Sequence, residues 1–187
     1  MTKTVSENTR IAHAALKLAA AQGWNCVTVD AIAKCVKISL PAFKKKFVSI
    51  YDIVPVIAEE IDREAFARGK VSGTPHEILF DILMARFDVM HENRKAILSM
   101  ADAVRADHRL SCILARTTLD GIYRVIDTAK LTQPPRPALA CGVGLVYGWA
   151  FFAWRGDNSR DMAKTMAALD RALRLADKAQ TFLKRRS

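Results

Sequence analysis

At 187 residues, half of them hydrophobic, the chain is too apolar for a disordered polymer and suits one domain, or a small head on a larger body. Its formal charge of +10 favours a polyanion or an acidic membrane surface as partner and says nothing about fold. The four cysteines, Cys26, Cys35, Cys112 and Cys141, show no CxxC spacing and no paired histidines, which argues against a zinc framework.

In chain order, strand signals are nearly absent, because apolar residues recur at spacings of three and four. A first helix is expected from Ser6 to Gln22, with Ile11, Ala15, Leu18 and Gln22 along its inner side and Gly23 as its stop. Thr28 caps a second, whose buried side is Val29, Ile32, Ala33 and Val36. Ser39 caps a third, with Pro41 in its first turn, where a missing N–H costs nothing. Ser49 opens a fourth that runs to Arg68 and carries Pro55, read as a kink or as the true helix start. Gly69–Gly73 is the expected hinge. Thr74-Pro75-His76-Glu77 is a capping box that starts a fifth helix carrying Phe80, Leu83, Met84, Phe87 and Met90. Two more helices cover Arg94–Asp107 and His108–Leu131. The run Gln133-Pro134-Pro135-Arg136-Pro137 breaks the chain before Ala138–Trp154. A last helix follows Gly156-Asp157-Asn158-Ser159. The expected fold class is therefore all-α, with about nine helices.

Charge is densest at the start. Residues 1–51 hold eight basic against two acidic side chains, whereas residues 52–70 are net acidic. Within that basic segment, 28–49 reads as a helix, a tight turn and a second helix bearing Lys44, Lys45 and Lys46. On a helical wheel Leu40, Phe43 and Phe47 form one narrow apolar stripe. Lys45, Pro41 and Ala42 lie opposite it, and Lys44 and Lys46 fall on the flanks. A run of lysines is by default only a solvated face. On the second helix of a turn motif it becomes a candidate DNA surface, with the flanking lysines at phosphates and Lys45, Pro41 and Ala42 toward base edges. Thr28 and Ser39 are candidate phosphate contacts.

The pattern Thr28, Ile32-Ala33, Ile38-Ser39, Phe43, Phe47 and Ser49 resembles the helix-turn-helix of TetR-family regulators. That resemblance covers roughly residues 6–60 by motif, and the rest by length and helix pattern. It implies a DNA-binding head over 1–51 and an effector-binding, dimerising body over 52–187, in a cytoplasmic repressor released by a small apolar effector from a palindromic operator. Three positions depart from the family. Lys37 stands where glycine is usual, so it has to adopt a left-handed backbone. Lys44 replaces a common tyrosine, and Ile50 a common phosphate-binding lysine. Lys37 is retained as a candidate DNA contact. The body segments 76–90 and 161–177 also resemble the TetR-like lipid-binding accessory protein of coenzyme Q biosynthesis, which implies isoprenoid lipid as an alternative partner.

Ala138–Trp154 has no charge over seventeen residues, short of the roughly 20 of a membrane span, so a soluble core helix buried on all sides is expected. With the last helix it predicts a four-helix dimer interface built on Gly144, Gly148, Met162, Met166, Leu169 and Leu173, with the monomer core as the alternative. Phe80, Met84, Phe87, Met100, Tyr123, Tyr147, Trp149 and Phe152 are candidate effector-pocket residues, although such a stripe is more often plain core. The cysteines are expected to be reduced and buried, Cys35 at an apolar helical position and Cys141 in an apolar run. The segment MTKTVSENTR lacks the apolar centre of a secretory signal. No histidine pairs with a partner at metal-ligand spacing, no nucleophile–histidine set converges and no phosphate loop occurs. Neither catalysis, cofactor nor metal is expected.

Overall fold

The computed structural model describes residues 6–184, with side chains through residue 179. Lys3 and the first half of the segment MTKTVSENTR lie outside the described residues. So does the end of the chain beyond Lys184.

Nine α-helices and two 3-10 turns follow one another, with no strand among the described residues. They are α1 (Glu7–Gln22), a turn at Trp24–Cys26, α2 (Val29–Val36), α3 (Leu40–Lys44), a turn at Ile50–Asp52, α4 (Ile53–Arg68), α5 (Pro75–Glu92), α6 (Arg94–Ala103), α7 (His108–Thr128), α8 (Arg136–Gly156) and α9 (Ala163–Lys184). The expected all-α fold is the observed one.

The chain divides into two compact units. The first comprises Met1–Glu64 with Val89–Thr118, the second Ala65–Asp88 with Leu119–Ser187.

In the first unit α1 packs against α2, α6 and the Trp24 turn. Contact with all three widens its buried stripe to Thr9, Ile11, Ala12, Ala15, Leu16 and Ala19. The narrower stripe expected from spacing is corrected accordingly, since Leu18 is only half-buried and Gln22 is exposed. The Ser6 hydroxyl accepts the Thr9 N–H, and Gly23, at φ 83, ends the helix in a conformation that favours glycine. In α2 the buried residues are the four expected, Val29, Ile32, Ala33 and Val36. Phe43 of α3 is 1% exposed, a burial that contributes about 2 kcal/mol. The Ser49 and Asp52 side chains form a capping box over the turn that precedes α4. Pro55 then falls in the first turn of α4, where it interrupts no helical bond.

In the second unit the capping box at α5 is present. Glu77 accepts the Thr74 N–H at 2.7 Å, and the Thr74 hydroxyl accepts the Glu77 N–H at 3.3 Å. A Cβ on Gly69 would stand 2.9 Å from the Ile82 Cα, so glycine permits the close approach of this linker to α5. Helices α8 and α9 form an antiparallel hairpin. Asp157, fully buried, closes it by accepting the backbone N–H and hydroxyl of Thr165, both at 2.9 Å, and the same two groups of Ser159.

Two expectations fail here. α8 is covered on one side only. Leu139, Ala140, Val143, Val146, Ala150 and Trp154 are buried, but Leu145, Trp149 and Phe152 are 72%, 63% and 78% exposed. These three recur at spacings of four and three, so they form one apolar stripe that the described residues leave largely uncovered. α8 is also long and apolar enough, by length and composition alone, to cross a membrane. The four cysteines are exposed rather than buried. Cys35 points about 100° away from Val36 round α2, off the inner face, and Cys141 lies one turn before Leu145 on the outward stripe of α8.

Candidate nucleic-acid interface

Local chemistry sets the turn between α2 and α3. The Thr28 hydroxyl accepts the Ala31 N–H at 3.2 Å, and α2 ends at Lys37. Lys37 sits at φ 58, ψ 41, and its N–H bonds back to Ala33 and Lys34 while Ile38 N–H reaches Ala33 O at 3.0 Å. The left-handed conformation expected from the missing glycine is therefore real. Arg10 of α1 donates to the Val36 carbonyl, satisfying one of the open acceptors at the end of α2. Lys37→Gly is expected to stabilise the protein by about 0.5–1 kcal/mol in urea unfolding. A left-handed L residue costs about 1–2 kcal/mol, and the freer unfolded glycine returns part of that.

Ser39 takes the N-cap position, but its hydroxyl makes no capping bond. The hydrogen-bonded helix α3 stops at Lys44, earlier than the rod over 39–47 that the pattern suggested. Lys46 N–H and Phe47 N–H both bond to the Phe43 carbonyl at 3.0 Å, which tightens the last turn. The apolar stripe persists across it, because the Phe43 and Phe47 rings meet in a tilted pair with centroids 5.1 Å apart.

Thr28, Lys37, Ser39, Pro41, Ala42, Lys44, Lys45 and Lys46 are all exposed. The lysines are not equivalent. Lys44 Nζ lies 3.4 Å from Asp30, and Lys46 Nζ lies 2.6 Å from Glu7, whereas Lys45 has no carboxylate partner among the described residues. Sequence reasoning missed these pairings, since Glu7 and Lys46 are far apart in the chain. After α3, Tyr51 donates its hydroxyl to Asp107 at 2.8 Å, and the Arg109 guanidinium stands 4.5 Å over its ring. The hydrogen bond to Asp107 raises the Tyr51 pKa above its ordinary value.

Helix α1 is tied to α4 by buried Glu60, which accepts the Thr9 hydroxyl at 3.0 Å and two N–H groups of Arg63. The Arg63 bonds, against burial and with help from Thr9, hold its carboxyl below the usual range. His13 lies 3.6 Å from Glu60 and 3.5 Å from Glu64, and the ligand atoms of all three lie within 4.8 Å of one another. A histidine therefore does converge with two carboxylates, contrary to the reading of the sequence, and the guanidinium of Arg63 supplies the cation there.

These helices recur in solved structures. The TetR transcriptional regulator of Nitrosomonas europaea ATCC 19718 matches 92% of this chain and 99% of its own, with a TM-score of 0.76 at 18% identity. A TetR regulator of Rhodococcus sp. RHA1 matches with TM-score 0.64 at 17% identity, covering 89% of this chain and 93% of that one. The chain has the TetR-regulator fold. A TetR-family regulator of Streptomyces coelicolor extends the likeness to 96% of this chain and 90% of its own, at TM-score 0.60 and 16% identity. No protein-family model and no curated protein matches the sequence.

In the second unit, the aromatic and methionine set expected at an effector pocket is dispersed. Met84 and Phe87 are buried, and Phe87 stacks on Tyr147 at 5.3 Å. Tyr123 lies under the Arg136 guanidinium, Phe80 borders a polar recess with Lys70 and Arg174, and Phe152 faces outward. Met100 belongs to the first unit. Only Trp149 of the eight lines the large apolar cavity of the second unit, about 740 Å³ between α8, α9 and the start of α5. Of the expected dimer residues, Met162, Leu169 and Leu173 are buried within the unit and Met166 is 45% exposed. A Cβ on Gly144 would meet Ile122 at 3.6 Å, whereas one on Gly148 would meet nothing within 4 Å.

Proposed function

We propose that the chain is a homodimeric, DNA-binding, one-component transcriptional regulator, a repressor released by a small apolar effector. The exposed cationic side of α3 and the turn after it carries this reading. Phe43 and Phe47 hold that segment to the first unit, leaving Pro41, Ala42 and three lysines exposed toward a major groove. Residues 1–51 act as the DNA-binding head and 52–187 as the effector-binding and dimerising body. The operator is palindromic, with half-sites about one helical turn apart or a multiple of it. Effector binding shifts the separation of the two heads through the 69–73 linker, so that the effector-bound dimer prefers the wrong half-site spacing. Such a protein acts in the cytoplasm and needs no catalytic group. Selection of genomic fragments by the purified protein tests the reading, and recovery of no palindromic sequence would refute it.

The partner chain is expected on the α8 stripe. Trp149→Asp with Phe152→Asp should convert the dimer to a monomer in sedimentation velocity, because burying two carboxylates in an apolar interface costs several kcal/mol. A dimer that withstands both changes would place the interface elsewhere. The same exposed apolar stripe favours a second reading, a lipid-binding accessory protein of isoprenoid quinone biosynthesis. That reading predicts an isoprenoid in organic extracts of the purified protein.

A further inference from the structure

The cavity between α8 and α9 has a chemical character beyond mere apolarity. Its α8 wall runs from Ala138 to Trp149, about 16 Å at 1.5 Å per residue, so the space is a trough rather than a rounded pocket. Leu139, Val143 and Val146 form that wall, and Leu173 and Ala176 face them from α9. At 740 Å³ it falls within the roughly 300–1,000 Å³ of ligand sites. Gly142 lines it, and a Cβ there would meet nothing within 4 Å, so the space reaches the helix backbone. The ionisable lining groups are Arg171, His76 and Asp177. His76 and Asp177 are joined at 2.6 Å, whereas Arg171 has no ion-pair partner among the described residues.

We infer that this trough binds a single-chain amphiphile with an anionic head, such as a medium- or long-chain carboxylate, its tail along α8 and its head at Arg171. The inference rests on the effector-regulated reading and names the class of effector and its site. Leu145 and Trp149 both line the trough and belong to the outward stripe, so occupancy would bear directly on the surface offered to a second copy.

Calorimetric titration of the full-length, DNA-free protein with laurate, and with dodecanol as neutral analogue, tests this. Laurate should bind at one site per chain. Gly142→Phe should fill the trough, displace several methylenes of the tail and weaken laurate at least about tenfold. The fold should tolerate it, because an open helical glycine gains propensity on substitution. Ala172→Trp, from the opposite wall, repeats the test independently. Arg171→Gln should weaken laurate about tenfold, the scale of a charge-assisted hydrogen bond, and change dodecanol by less than twofold. No laurate binding by the wild type overturns the proposal, as it would if a second copy's side chains already filled the trough. Binding that survives both plugging variants, or an equal effect of Arg171→Gln on both ligands, overturns it too. Absence of laurate binding by a wild-type protein that still selects DNA sinks the ligand assignment alone. Laurate binding by a protein that ignores DNA sinks the regulator reading alone.

Discussion

Replacing Lys44, Lys45 and Lys46 together by alanine is expected to lower DNA affinity by at least about a hundredfold and to flatten its salt dependence. Each phosphate neutralised adds about 0.9 to the slope of log K against log salt, so the four flanking lysines of a dimer, Lys44 and Lys46 in each chain, account for a slope of about 3.6. The three contributions should be unequal. Lys44 and Lys46 already pair with Asp30 and Glu7, and must leave those carboxylates to reach phosphate. Both pairs are solvent-exposed, so leaving them costs at most about 1 kcal/mol each. Lys45 has no carboxylate to leave among the described residues, and Lys45→Ala should be the most damaging single change. Conversely, Glu7→Gln and Asp30→Asn should each tighten binding a few-fold by freeing a cation. Gel-shift titrations over a salt series read all of these effects. An unchanged slope in the triple variant would remove α3 from the DNA interface.

The second large effect concerns Asp157. Its carboxylate receives four hydrogen bonds inside the α8–α9 hairpin, and its partner Thr165 is itself 0% exposed. Asp157→Ala leaves a buried N–H and hydroxyl without an acceptor and should destabilise the protein by about 3 kcal/mol. In a chain of this size that is a fall of roughly 10 °C in Tm. Asparagine should rescue little, since its amide turns a second donor toward donors. Burial raises the Asp157 pKa, but the bonds from Ser159 and Thr165 outweigh it and hold the carboxyl far below its ordinary 3.8. A depressed folded-state pKa contributes stability that is complete above the unfolded value and is lost as pH falls through the folded one. Thermal scans should show the gap between wild type and Asp157→Ala to be constant from pH 7 to about 5 and to narrow below pH 4. A gap that stays constant through pH 3 would show that the charge is not what holds the hairpin.

Asp157 also shows how sequence reading falls short. Gly156-Asp157-Asn158-Ser159 was legible as a break between helices, because turn formers cluster there. That Asp157 would be buried, serving Thr165 eight residues on, depends on how the two helices close over it. His13 is a similar case. Its neighbours Glu60 and Glu64 lie one turn apart on α4, and only the packing of the first unit brings α1 beside them.

Where the governing physics is local, the sequence alone was sufficient. Helical spacing assigned Val29, Ile32, Ala33 and Val36 to one face. The Thr74–Glu77 reciprocal bonds followed from side-chain reach over one turn. The left-handed turn at Lys37 followed from the TetR-family resemblance, which puts glycine at that position. Tertiary structure alone decided which side of α8 would be covered, where the cysteines would point, which lysines would meet carboxylates, and that a cavity would open between α8 and α9. A helix that is apolar all round carries no preferred face in its own residues. Its orientation is set by the surfaces that other segments, remote in the chain, bring against it.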